Sequence, residues 1–323
     1  MCMCCGITTW NNNNKKIDLS QQDKRCVFVT VHDLGTNHSS MVDFVNSPAM
    51  SEIKERSCFI HVDVPGHEEN SPDLPDSYQF PSLQTLGEDL ITVLDFLHIR
   101  YAVGLGEGAG ANILARCGLA HPRRLLGLIL VNCTASTSSV ADAFRSRFSR
   151  WRGADISQSE EDFLIYHKFG HVSFIGERDR MLIEYRSRLR GNLNTHNIKQ
   201  YVKAFINRKD LILRGCQPDI LLITGMLSHY SSVIEKMYKE LNKDRVTILK
   251  VDRVGDVLAE APAKVAQSLL LFCQGQGLLT SLPPPGVERR MSRAMSMEEY
   301  DKPNIRRLSL TASASESPPP RKL

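Results

Sequence analysis

The chain has 323 residues, 42% hydrophobic and 24% charged, which suits one large α/β domain with appendages better than two small domains. Net charge is +4, and the segment from Ser281 onward, with eight Lys/Arg against five acids, supplies +3 of it; the nearly neutral body argues against a broad nucleic-acid surface. No cationic N-terminal run leads into an apolar one, and no uncharged stretch approaches about 18 to 20 residues, so neither secretion nor membrane spanning is expected.

Residues 1–25 read as a flexible N-terminal segment. Its MCMCC opening clusters Cys2, Cys4 and Cys5 without a second Cys or His set to complete a tetrahedral metal site. Reversible acylation is the functional reading of these thiols, because two chains anchor a protein stably where one does not; a bland terminus is the alternative. Asn11 to Asn14 read as linker. The other six cysteines are scattered singly in apolar contexts, as reduced thiols of a cytosolic protein are.

From Cys26 to Gly277, apolar β-type runs alternate with helix-period segments, the pattern of a mostly parallel sheet covered on both faces. Strands are predicted at Val27–Val31, Phe59–Val62, Tyr101–Leu105, Leu126–Val131, Ile220–Ile223 and Thr247–Val251. Leu83, Leu86, Leu90, Val93, Leu94 and Leu97 form one buried helical stripe. A second helix opens at Gly110 and stops before Pro122, and a last one starts at Ala261-Pro262 with Val265, Leu269 and Phe272 inward. Residues from about 136 to 210 break the alternation, look helical and Arg-rich, and read as a cap inserted between two strands. Residues 278–323, rich in Ser, Arg and Pro, read as a disordered tail.

The sequence GLGEGAGAN at 104–112 has the form of a nucleophile elbow, G-x-S-x-G, with Gly108 where the serine should stand. It also contains G-x-G-x-x-A, but a dinucleotide site wants the first βαβ unit and an acid at the end of the next strand. Here two strands precede the motif and the next strand ends in Val131-Asn132-Cys133. No Gly-Lys-Ser/Thr follows, so a P-loop is excluded, and no cofactor or metal is expected.

The scaffold of a hydrolase is nevertheless in order. His32-Asp33-Leu34-Gly35 stands where hydrolases place a His-Gly loop that supplies an oxyanion N–H, and Asp63-Val64-Pro65-Gly66-His67 resembles the turn after the next strand. The chemistry is missing. The acid position falls at Ser228 or a neighbour without a carboxylate, the histidine position at Asp256, and no histidine occurs after His229. Losing a nucleophile or base alone costs on the order of a millionfold in turnover. His32, Asp33, Glu107, Gly108 and Ala109 remain as a candidate polar floor for a small ligand beneath the cap, whereas His61 and His171 read as structural.

The segments VHDLGTNH (31–38), HVDVPGHEE (61–69), VGLGEGAGANIL (103–114), NRKDL (207–211) and APAKVAQSLLLFCQGQG (261–277), with MSRAMSMEE in the tail, resemble the N-myc downstream-regulated (NDRG) family. The resemblance covers about residues 26 to 310. It implies an α/β-hydrolase fold regarded as non-catalytic and associated in the cytoplasm with stress response, differentiation and growth control. Met226 departs from the family, which usually carries an acid after the glycine matching Gly225; the short tail departs as well.

Function is then expected in surfaces and switches. Phe144, Phe148 and Trp151 fall at i, i+4, i+7, with Arg145, Arg147, Arg150 and Arg152 around them. This is the pattern of a basic amphipathic helix for a protein partner or a peripheral membrane surface; the competing reading packs the aromatics onto the body. Ser292, Ser296 and Ser309 each follow arginine by two or three residues, as basophilic kinases require. Three phosphates would add about −4.5 to −6 and reverse the tail's charge. The reading is a cytoplasmic pseudo-hydrolase acting as an adaptor. The alternatives are a serine-independent hydrolase using Cys117, Asp63 or a cap residue, and a sensor of a small ligand in the pocket under the cap.

Overall fold

The computed structural model describes residues 7–10, 25–136, 156–170 and 177–284. Seven strands, β1 (Ile7–Trp10), β2 (Cys26–Val31), β3 (Ser57–Val62), β4 (Ala102–Glu107), β5 (Leu125–Val131), β6 (Asp219–Gly225) and β7 (Val246–Val251), form one sheet in the order β1-β3-β2-β4-β5-β6-β7. β1 is antiparallel to β3, and every other pairing is parallel. All six strands expected from the sequence are present. β1 lies within residues 1–25, which the sequence presents as a flexible N-terminal segment: four residues of β-branched and aromatic type make a strand once the edge of β3 is there to pair with, a condition no local pattern reveals.

The pleat divides each buried strand between two cores. Val27, Val29 and Val31 of β2 and Leu128 and Leu130 of β5 face one cluster, while Phe28, Ile129 and Val131 face the other. On the first side lie α3 (Leu83–Phe96) and α4 (Gly108–Ala120), α3 burying the predicted leucine stripe. On the second lie α1 (His38–Asn46), the short α2 (Ser51–Glu55) and the last helix, Pro262–Gly275. Proline opens that helix where its missing N–H costs nothing. Leu278, Leu279 and Leu282 are buried against the second core, and Gln274 Nε2 donates to the carbonyls of Leu279 and Leu282, so the folded body runs past the expected boundary at Gly277.

The described residues of the insertion between β5 and β6 include three helices, α5 (Gln158–Phe169), α6 (Glu177–Gly191) and α7 (Thr195–Ile206). α5 and α6 are joined through buried Glu161, which accepts from Arg190 and pairs with Arg186. α7 buries Ile198, Tyr201, Val202 and Phe205, and its Asn197 bonds the carbonyls of Gly66 and Pro72 and the N–H of Leu74, fixing the turn after β3. After β6 come α8 (Ser231–Glu240), β7 and the one-turn α9 (Val257–Glu260) that leads into α10, the Pro262–Gly275 helix.

Candidate functional site: a filled hydrolase pocket

β4 passes into α4 with no intervening residue, Glu107 ending the strand and Gly108 opening the helix at φ +51°. The helix therefore starts two residues before the expected Gly110. Two glycines are required by space. A Cβ on Gly110 would fall on the carbonyls of Val31 and His32, and one on Gly108 would fall on the carboxylate of Asp33. Gly108 also holds a left-handed conformation that glycine adopts at little cost.

Asp33 stands just past the end of β2. Its Oδ1 accepts the Ala109 backbone N–H at 2.8 Å, and His167 Nε2 donates to both of its oxygens at 3.0 and 2.9 Å. The N–H of the residue after the nucleophile is half of a hydrolase oxyanion hole. Here a resident carboxylate occupies it. Burial would push Asp33 up, but His167, the Ala109 N–H and Lys168 outweigh that and hold it below the usual carboxylate range. His167 Nδ1 shares a short hydrogen bond with the Tyr230 hydroxyl, so the ring is held from both sides.

Lys168, the next residue on α5, fills the adjoining space. Its Nζ lies 2.8 Å from both oxygens of Glu107 and 3.0 Å from Asp256 Oδ2. Burial would strip its proton, yet Asp256 and Glu107 raise its affinity for that proton well above an ordinary lysine's. Burial, with Asp256 and Asp33 nearby, pushes Glu107 upward, and Lys168 opposes that shift. Asp256, at the degenerate histidine position, also caps α9 through Oδ1, which accepts from Leu258 and Ala259. Ser228, at the acid position, accepts the Tyr230 N–H within its own turn.

The structure thus brings Asp33, Glu107, Gly108 and Ala109 together, but cap side chains fill the space they enclose. His32 is turned into the scaffold: Nδ1 donates to the Asp33 carbonyl and Nε2 accepts from the Val64 N–H, with burial lowering its proton affinity. His61 is likewise buried, bonded to Thr30. Of the five candidate floor residues, only Glu107 lines the neighbouring cavity of about 630 Å³. His167 and Lys168 escaped the sequence reading because a cationic pair in the last turn of a helix is an ordinary complement to the helix dipole. Cys2, Cys4, Cys5, Phe144, Arg145, Arg147, Phe148, Arg150, Trp151, His171, Ser292, Ser296 and Ser309 lie outside the described residues.

The Ndr family profile matches residues 16–280. The chain belongs to the Ndr family. The Caenorhabditis elegans protein ZK1073.1 is 40% identical over 300 residues, covering 91% of this chain and 89% of the relative. An NDRG-like protein of Dictyostelium discoideum is 31% identical over 274 residues, 82% of each chain. The solved structure of MGS-M2, an alpha/beta hydrolase enzyme from a Medee basin deep-sea metagenome library, superposes with a TM-score of 0.61 at 15% identity, covering 89% of this chain and 97% of that one. This Ndr-family chain therefore has the α/β-hydrolase fold. Among its described residues, no helix is long and apolar enough to cross a membrane.

Proposed function

We propose that this Ndr-family chain is a non-catalytic α/β-hydrolase-fold adaptor in stress, differentiation or growth signalling. On this reading it works in the cytoplasm, engages protein partners and peripheral membrane through its surface, binds no nucleic acid, and is regulated by basophilic kinases on its C-terminal segment. The observation that supports the loss of chemistry is the Asp33 carboxylate on the Ala109 N–H, which leaves a developing oxyanion no donor there. The rival nucleophiles are poorly placed. Burial pushes the Cys117 thiol up to about 12, away from the reactive thiolate, and both oxygens of Asp63 are bound to His38.

The purified chain is expected to turn over no ester in a panel and to resist a fluorophosphonate probe. Gly108→Ser is expected to stay inert and to lose about 2 to 4 kcal/mol of stability, since its Cβ collides with Asp33 at a positive φ. Turnover by the wild-type chain that disappears when one cleft side chain is exchanged would overturn the reading. For regulation, phosphopeptide mapping from cells is expected to find phosphate on Ser292, Ser296 or Ser309; finding all three unmodified under stress would remove that part.

A further inference from the structure

Beside the filled pocket lies the cavity of about 630 Å³, well within the range that holds a small organic molecule. α1 and the loop before it, α6, the end of α5 and the stretch from α9 to the start of α10 form much of its wall. Phe44, Phe169, Met181, Leu193 and Leu258 give it an apolar side. Tyr185, 7% exposed, stands at its buried end. The ring packs edge-on against Phe169 with centroids 5.5 Å apart, and the hydroxyl lies over Gly35, where a Cβ would collide with it. That hydroxyl is shut off from bulk solvent, feels the charges of Lys168, Asp33, Glu107 and Asp256, and has no hydrogen-bond partner among the described residues. A buried polar group left unpaired calls for a partner from outside the chain.

The charge of the wall decides what that partner is. Asp43, Glu69, Glu107, Glu184 and Asp256 line the cavity against two strong bases, Lys168 and Arg188. Each base already faces two carboxylates, Lys168 against Glu107 and Asp256 and Arg188 against Asp43 and Glu184, so each group keeps one net negative charge. His38 also lines the wall; its Nδ1–H goes to Asp63 at 2.6 Å, and the neutral ring carries a lone pair at Nε2. Protons on both His38 and Glu107 would still leave Asp43, Glu69, Glu184 and Asp256, with Asp63 behind His38, against three cations. The hydroxyls of Tyr185 and Ser47, the latter also without a partner among the described residues, can donate or accept and so select no sign. The excess of carboxylates does: it attracts a cation and disfavours a carboxylate or phosphate.

We propose that this cavity binds a primary alkylamine as its cation, the ammonium donating to the Tyr185 hydroxyl oxygen beside Glu107 and Asp256 and the chain lying along Phe169, Met181 and Leu258. Met181 stands one turn before Tyr185 on α6, and Leu258 two residues after Asp256, so apolar surface begins next to the polar end. An ammonium has three N–H donors and no acceptor, which suits a wall of carboxylates and hydroxyl oxygens. The site is independent of hydrolysis and of the adaptor reading, so neither bears on it.

The test titrates the full chain near neutral pH with hexylamine, hexan-1-ol and hexanoate, reading melting temperature and the NMR signal of the Met181 methyl group. Hexylamine, protonated under these conditions, is expected to bind saturably at millimolar concentration and to shift the Met181 signal, with hexan-1-ol and hexanoate at least about tenfold weaker. Tyr185→Phe keeps the ring against Phe169 and removes only the unpaired oxygen. It should melt no lower than wild type and bind hexylamine about tenfold more weakly, the scale of one hydrogen bond to a charged group. Met181→Trp, checked for folding by circular dichroism, fills the apolar side and should abolish saturable binding. Absence of saturable hexylamine binding, equal or tighter binding of the alcohol or the carboxylate, or a Tyr185→Phe variant that melts lower or binds hexylamine as wild type does would overturn the proposal.

Discussion

Lys168 carries its charge into the interior on the strength of two carboxylates, and each of those depends on it in return. Lys168→Met keeps the length of the side chain but leaves Glu107 and Asp256 buried and facing one another. The expected loss is about 3 to 5 kcal/mol in urea unfolding, the usual consequence of breaking a buried pair on one side. The buried histidines set a second, pH-dependent term. Burial lowers His61 to about 4 and His67 to about 3, so between pH 6.5 and those values the unfolded chain takes up protons that the folded chain refuses. Their contribution is complete above pH 6.5 and falls as pH drops, by up to about 1.4 kcal/mol per unit for each ring. Among the described residues the His67 ring makes one hydrogen bond, to the Pro65 carbonyl, and its Nε2 has no partner. Unfolding free energies at pH 7 and pH 5 should therefore differ less in His67→Phe than in wild type; an equal difference would rule out His67 as a source.

At the scale of elements, α5 is the plug and α9 its receptacle. Asp256 serves both, accepting α9 N–H groups through one oxygen and Lys168 through the other. Asp256→Asn keeps the cap and loses the charge, whereas Asp256→Ala loses both. The alanine variant should be less stable than the asparagine variant by about 1 kcal/mol, the ordinary value of an N-cap, in thermal or urea unfolding. α5 also explains why part of the site was illegible. It is buried at Phe163, Leu164 and Ile165 and again at His167, Lys168 and Phe169, so its sequence has no single apolar stripe to orient it. α3 has one, and its residues and inward face were readable directly.

For the whole molecule, the two cores share one sheet, and the second is completed only by the chain beyond α10. Leu278, Leu279 and Leu282 are each at least nine-tenths buried. Fully burying a leucine contributes about 1.5 to 3 kcal/mol. A chain ending at Gly277 should therefore melt well below one ending at Pro284; equal melting of both truncated chains would place these leucines outside the cooperative unit. Composition alone assigns this segment to the tail, because three leucines among Pro, Ser and Gly carry no period.

Sequence by itself determined the chain order of six strands and of the helices with a clear stripe or boundary residue, the position of the elbow and the absence of serine and histidine where a triad needs them, because strand runs, glycine motifs and missing residue types are local facts. Tertiary structure decided what stands in their place. Asp33, Glu107, His167, Lys168 and Asp256 come from four distant stretches, and their charges acquire meaning only when folding excludes water and sets Asp33 against His167, and Glu107 and Asp256 against Lys168, at 2.8 to 3.0 Å. The edge strand β1 and the cavity beside His38 belong to the same class: each exists through a partner surface that the neighbouring sequence does not encode.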